Sequence, residues 1–161
     1  MIIREAAHHE RNELFLEGYK VWSKNRTFEQ YCVDNRKEDA YGTRYVMEQD
    51  GKILCSLILL RLKEIWGCKI YGFGSVLTPA QYTGKGYATG LLKYCIENNR
   101  EENSMLFLYS EIKPAFYERF GFKALPPHLQ KDSKAACMAL CTEMLWARLL
   151  KAPADVIPDY F

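Results

Sequence analysis

The run Val76-Leu77-Thr78-Pro79-Ala80-Gln81-Tyr82-Thr83-Gly84-Lys85-Gly86-Tyr87-Ala88-Thr89 constrains the fold more than any other stretch. An apolar strand ends at a proline turn, and a loop with two glycines follows. Apolar residues then recur at Ala88, Leu91, Leu92, Cys95 and Ile96, the spacing of one helix face. A short apolar run at 105–109 comes next. Parallel strands need a crossover connection, and a helix supplies it here. Strands 69–78 and 105–109 are therefore expected to be parallel neighbours.

The flanking sequence adds antiparallel strands and further helices. Residues 2–7 read as a short strand. Residues 10–24 read as a helix with Leu14, Phe15, Tyr19 and Trp22 on one face. Thr27, with Gln30 three residues on, makes a capping box that opens a second helix through Phe28, Tyr31 and Cys32. Asp50-Gly51 between strands 44–49 and 52–63 is a hairpin signal, and Trp66-Gly67 is a second turn. Residues 114–120 form a short helix stopped by Gly121, with Phe116 and Phe120 expected in the core. Strands at 122–125 and 135–141, a helix at 143–151 and an irregular tail at 153–161 complete the chain. The expected fold is α/β (α+β): a mixed, mostly antiparallel twisted sheet with a central parallel pair and helices on both faces. The length is that of a single domain, 1–161.

Composition narrows the function classes. The net charge is +2 with Lys and Arg scattered, so no nucleic-acid footprint and no basic membrane patch is expected. No apolar run approaches the length of a membrane span, and the first residues lack a signal-peptide core. The six cysteines, at 32, 55, 68, 95, 137 and 141, contain no Cys-x-x-Cys pair. They are expected to be reduced, structural thiols in a cytoplasmic protein, with no metal site.

The glycine loop points to an anion. Glycines allow close main-chain approach, and the first N–H groups of a helix lack intrahelical partners, so phosphate oxygens can take them. Lys85 is followed by Gly86, which breaks a Walker A loop, and Gly84, Gly86 and Gly90 are misspaced for a dinucleotide fingerprint. The segment resembles the pyrophosphate-binding motif of the GNAT superfamily of acyl-CoA-dependent N-acetyltransferases, Arg/Gln-x-x-Gly-x-Gly/Ala. One register places Gln81 at the first position. The other, which fits the flanking residues better, places Thr83 at the Arg/Gln position and reads Thr83-Gly84-Lys85-Gly86-Tyr87-Ala88. A second block, Ser110-Glu111-Ile112-Lys113-Pro114-Ala115-Phe116-Tyr117-Glu118-Arg119-Phe120-Gly121-Phe122, is similar to the family's later motif, with Ser110 where an Asn is usual.

The resemblance implies acetyl-CoA as cosubstrate, contacted by Val76, Leu77, Thr78, Thr83, Gly84, Lys85, Gly86, Tyr87, Ala88, Thr89 and Ser110. It places Tyr117 beside the acyl-CoA sulfur. A phenol, pKa ~10, is protonated at neutral pH and can donate to a departing thiolate, pKa ~8.5. Relatives often carry an acid on the strand before the loop, and residues 69–78 hold none. Glu111 is the nearest candidate base. Glu64, His128, the Phe161 carboxylate and a water chain are alternatives. His8 and His9 are expected in solvent. Trp22, Phe28 and Tyr31 occupy the helical segment that in the superfamily often walls the acceptor pocket, and Tyr160 and Phe161 are placed to cover a cleft. The expected activity is acetyl transfer to a primary amine, small molecule or peptide, in a ternary complex. The alternative is a non-catalytic acyl-CoA-binding sensor or regulatory module. A homodimer is left open.

Overall fold

Asp50-Gly51 and Trp66-Gly67 each take two consecutive positive φ values, 53° and 73°, then 52° and 76°. That is the twist-matched geometry of a two-residue hairpin turn. In the computed structural model, which describes residues 1–161, these turns link β2 (Gly42–Gln49), β3 (Lys52–Ile65) and β4 (Cys68–Leu77). Ahead of them lie β1 (Ile2–Glu5), α1 (Arg11–Trp22) and α2 (Phe28–Glu38). After them come α3 (Tyr87–Asn99), β5 (Ser104–Ser110), α4 (Ala115–Glu118), β6 (Lys123–Ala124), β7 (Ala136–Leu140) and α5 (Glu143–Leu150).

The strands hydrogen-bond in the order β1-β2-β3-β4-β5-β7-β6. The β1–β2, β2–β3, β5–β7 and β6–β7 pairs are antiparallel. β4 and β5 are parallel, from Lys69↔Ser104 to Phe73↔Leu108. The mixed, mostly antiparallel sheet with one parallel pair is thus as expected from the crossover helix.

Element ends moved for local reasons. α1 stops at Trp22, short of residue 24, because Lys24 and Asn25 sit at φ 47° and 63° and cannot continue a right-handed helix. β1 ends at Glu5, although the Ala6 N–H still reaches the Arg44 carbonyl at 2.8 Å. β6 shrinks to Lys123–Ala124, but the Leu125 N–H donates to the Cys137 carbonyl, so the pairing outlasts the regular strand. The Thr27–Gln30 capping box forms in both directions, at 3.0 and 3.2 Å.

Contacts gather the chain into two compact units, Met1–Leu60 with Ser75–Cys95, and Arg61–Gly74 with Ile96–Phe161. In the first, Phe15, Tyr31 and Cys32 form a core between α1 and α2, flanked by Tyr19 and Trp22. Gly18 makes this packing feasible, because the Tyr31 hydroxyl occupies the place of a Cβ. The buried Arg44 joins β2 to α2: it donates to Asp39 at 2.7 Å and to the Asn35 carbonyl at 3.1 Å, and lies over the Phe15 ring. In the second unit, Ile70, Met105, Phe107, Leu129, Cys137, Ala139, Leu149 and Ile157 share one core.

All six cysteines are free, and five are buried. Burial pushes Cys55, Cys95 and Cys137 up to about 12 and Cys141 up to about 11. The folded thiols thus hold protons that the unfolded chain releases from its ordinary value of 9.0. Stability should fall as pH rises from about 9 toward 12, because the unfolded state then binds fewer protons. An aromatic disulfide reagent at pH 8 is expected to label Cys141 first and all six only after denaturation. Rapid labelling of several native thiols would contradict this burial.

No helix is long and apolar enough to cross a membrane.

Candidate functional site

The glycine segment begins where β4 stops being regular. Ser75 has φ 48°, a left-handed conformation that a non-glycine residue rarely adopts in a strand. It lies two residues past Phe73, where the ladder to β5 ends. β4 then runs to Leu77, and Pro79 leads into a 3-10 turn at Ala80–Tyr82. The turn after Pro79 agrees with the proline turn expected from the sequence, whereas the kink at Ser75, beside Gly74, is not among the features expected.

The loop itself has the conformation its glycines permit. Gly84 and Gly86 adopt φ 76° and 82°, and nothing lies within 4 Å of where either Cβ would stand. Residues 83–86 are exposed. The Gly90 N–H makes the first bond of α3, to the Gly86 carbonyl at 3.1 Å. Donors in the turn before it lie outside the helical ladder, and no acidic residue in the first turn offsets the positive end of the helix dipole. Tyr82 and Tyr87 meet edge to face across the loop, ring centroids 6.5 Å apart, with the Lys85 ammonium 5.9 Å from the Tyr82 ring. The Thr83 hydroxyl donates to the Ala80 carbonyl at 2.9 Å and so closes the 3-10 turn. Val76 and Thr78 are half-buried, and Leu77 is buried.

In the second unit, Ser110 ends β5 and donates its hydroxyl to the Ile112 carbonyl at 2.7 Å. Tyr117 lies on α4, 8% exposed, edge-on to Phe116 at 5.0 Å and Phe122 at 6.4 Å. Phe122 in turn meets Phe73 at 6.0 Å. Burial raises the Tyr117 pKa, and no charged or hydrogen-bonding neighbour contributes to the shift. Phe116 and Phe120, expected in the core, are only half-buried; the Arg119 guanidinium covers both rings, at 4.3 and 5.1 Å. Tyr117 takes the inward place on the four-residue α4, and the Arg119 guanidinium shields Phe116 and the Phe120 beyond the helix end.

Glu111 is exposed and accepts from the Tyr160 hydroxyl at 2.5 Å. Glu64 is exposed beside Arg61, and His128 is exposed in a 3-10 turn. His8 and His9 are exposed in a turn after β1. Of the helical aromatics, Tyr31 is core, Trp22 packs against that core, and Phe28 lines an open groove of about 690 Å³ between α1 and α2 with Leu16 and Val33. No group of three or more His, Cys, Asp or Glu side chains is placed to hold a metal.

A family profile described as an acetyltransferase (GNAT) domain matches residues 3–125. No curated protein matches the chain. Among solved structures, a GNAT family N-acetyltransferase from Escherichia coli in complex with CoA aligns at TM-score 0.68 and 17% identity, over 94% of this chain and 85% of that one. An acyl-CoA N-acyltransferase from Pseudomonas aeruginosa aligns at 0.67 and 18%, over 87% and 97%. A longer conserved protein from Enterococcus faecalis aligns at 0.67 and 15% over 77% of this chain, which spans only 32% of that protein. At these identities the structures establish the fold alone. The profile covers both the strand–glycine loop–helix segment and the block that carries Tyr117, so the chain belongs to the GNAT acetyltransferase family.

Proposed function

We propose that the chain transfers an acetyl group from acetyl-CoA to a primary amine, acting as one catalytic domain over residues 1–161. The observation that carries this reading is the open glycine loop, with left-handed Gly84 and Gly86 leading into a helix start that has no acid. Main-chain donors of residues 84–89 take the pyrophosphate. Strand residues Val76, Leu77 and Thr78 pair with the pantetheine amides in the manner of an added strand. Thr83 and Ser110 act through main chain and shape, because their hydroxyls already serve Ala80 and Ile112.

The chemistry follows from proton inventory. An alkylamine with pKa ~10.4 is about 4–5 kcal/mol from its neutral form at pH 7, so attack requires a proton acceptor. Glu111 is that acceptor in this reading. The neutral amine adds to the thioester carbonyl, the tetrahedral intermediate expels the CoA thiolate, Tyr117 donates a proton to the sulfur, and the proton shed by the adduct nitrogen restores the phenol by way of solvent. Positioning and polarisation of the carbonyl supply the remainder.

The occupied hydroxyls of Thr83 and Ser110 also favour a second reading, a module that binds acyl-CoA without turning it over. Calorimetry with CoA and thiol release from acetyl-CoA over a panel of amines separate the two. CoA uptake with amine-dependent thiol release is the expected result. Uptake without release establishes the second reading, and no uptake removes both.

A further inference from the structure

The last residues of the chain are built onto the end of the parallel strand pair. The Tyr109 hydroxyl donates to the Pro158 carbonyl at 2.5 Å. Its ring meets Tyr160 at 5.3 Å and Phe161 at 5.5 Å, both edge to face. The Phe161 ring fills the space beside Gly72, where a Cβ would lie 2.7 Å from its tip. Lys131 adds bonds to the Ile157 carbonyl and to Asp159, at 2.6 and 2.9 Å. This strap delivers the Tyr160 hydroxyl to the Glu111 carboxylate.

Strand alternation fixes which face the strap covers. Successive side chains on β4 point to opposite sides. Phe73 meets Phe122, which meets Tyr117. Gly72, one residue earlier, meets Phe161, which meets Tyr109 and, through it, Tyr160. Tyr117 therefore belongs to one face of the β4–β5 pair, and the Tyr160–Glu111 bond to the other. Beside Glu111 lies an open cavity of about 400 Å³, lined also by Ser110, Gln130, Ser133 and Lys134.

We propose that Tyr160 is a positioning residue, holding Glu111 toward that cavity to receive the acceptor as a protonated alkylamine, on the face opposite Tyr117. This deepens, and rests on, the acetyl-transfer reading above. Two protons leave the nitrogen as the ammonium becomes an amide: the first passes to Glu111 before attack and on to solvent, and the second leaves the tetrahedral intermediate and, by way of solvent, restores Tyr117, whose own proton goes to the departing thiolate on the other face. A carboxylate free to rotate spends part of its time turned from the amine; the phenol donor restricts it, and the rings on Tyr109 restrict the phenol.

The test compares wild type, Tyr160→Phe and Glu111→Gln on two amine classes. Tyr160→Phe keeps every ring contact and removes only the donor. Alkylamines arrive protonated at pH 7.5, whereas an aniline arrives neutral and needs no proton acceptor to attack. Glu111→Gln should lower kcat/KM for alkylamines by ~10–100-fold and Tyr160→Phe by ~10-fold, values at or below the lower range for general-base catalysis. Both should change the aniline rate by less than about threefold and leave the KM for acetyl-CoA unchanged. A structural lesion would lower all amines alike, and that outcome overturns the assignment, as does an unaltered alkylamine rate in Tyr160→Phe. If wild type binds CoA yet acetylates no amine of either class, the acetyl-transfer reading itself fails and this inference with it. Wild-type turnover with unselective variants sinks only the positioning role.

Discussion

Tyr117→Phe is expected to lower turnover of the thioester by ~10²-fold or more, within the range for a lost general acid, with CoA affinity unchanged. The substitution removes one hydroxyl and keeps the ring that packs against Phe116 and Phe122. Thermal stability should therefore hardly move. The loss should not be total, because a thiolate with pKa ~8.5 can depart unprotonated. An acyl donor with a less basic leaving group should suffer less, since it needs the proton less. Burial of Tyr117 raises its pKa, so the donor keeps its proton throughout the neutral range. An alkaline decline in turnover that is due to this group should begin only above pH ~10. Equal rates for wild type and variant, measured by thiol release at saturating acetyl-CoA, would remove Tyr117 as the acid.

Gly86→Val is expected to reduce CoA affinity by ~100-fold or more. At φ 82° the main chain is in a region that β-branched residues avoid, and relieving the strain must rotate the peptide planes that carry the first donors of α3. Losing two hydrogen bonds to a charged group, ~1.5–3 kcal/mol each, corresponds to that factor or more. Stability supplies the control. Open space surrounds the absent Cβ at Gly86 and equally at Gly51, whose φ is 73°. Gly51→Val should thus carry a similar backbone cost, ~1–2 kcal/mol, without weakening CoA. Calorimetric titration of the two variants decides the matter: equal affinities would show that residues 84–89 do not hold the pyrophosphate.

What the sequence revealed and what it hid differ in range. The hairpins at Asp50 and Trp66, the Thr27 cap and the crossover between β4 and β5 are written in neighbouring residues, and each has the expected form. The kink at Ser75 is not, because Gly74 beside it marks a weak point in the strand without saying which residue takes the positive φ. The Tyr160–Glu111 bond joins residues 49 apart and belongs to no periodic pattern. Tail aromatics suggested a cover, but their docking depends on the bare main chain of Gly72, which as a sequence reads only as a weak point in a strand. The glycine loop was legible because its conformation lies in the main chain of one continuous segment. The proposed acceptor side rests on side chains gathered from distant segments.

The packed strap has a practical corollary for handling the protein. Residues appended after Phe161 would leave from a side chain seated against Gly72 and Tyr109, next to the carboxylate assigned to the incoming amine. The opposite terminus is freer, with Met1 70% and Ile2 53% exposed. Affinity tags, fluorophores and surface-immobilisation handles placed after Phe161 would therefore crowd that carboxylate, whereas those placed ahead of Met1 extend from an exposed end.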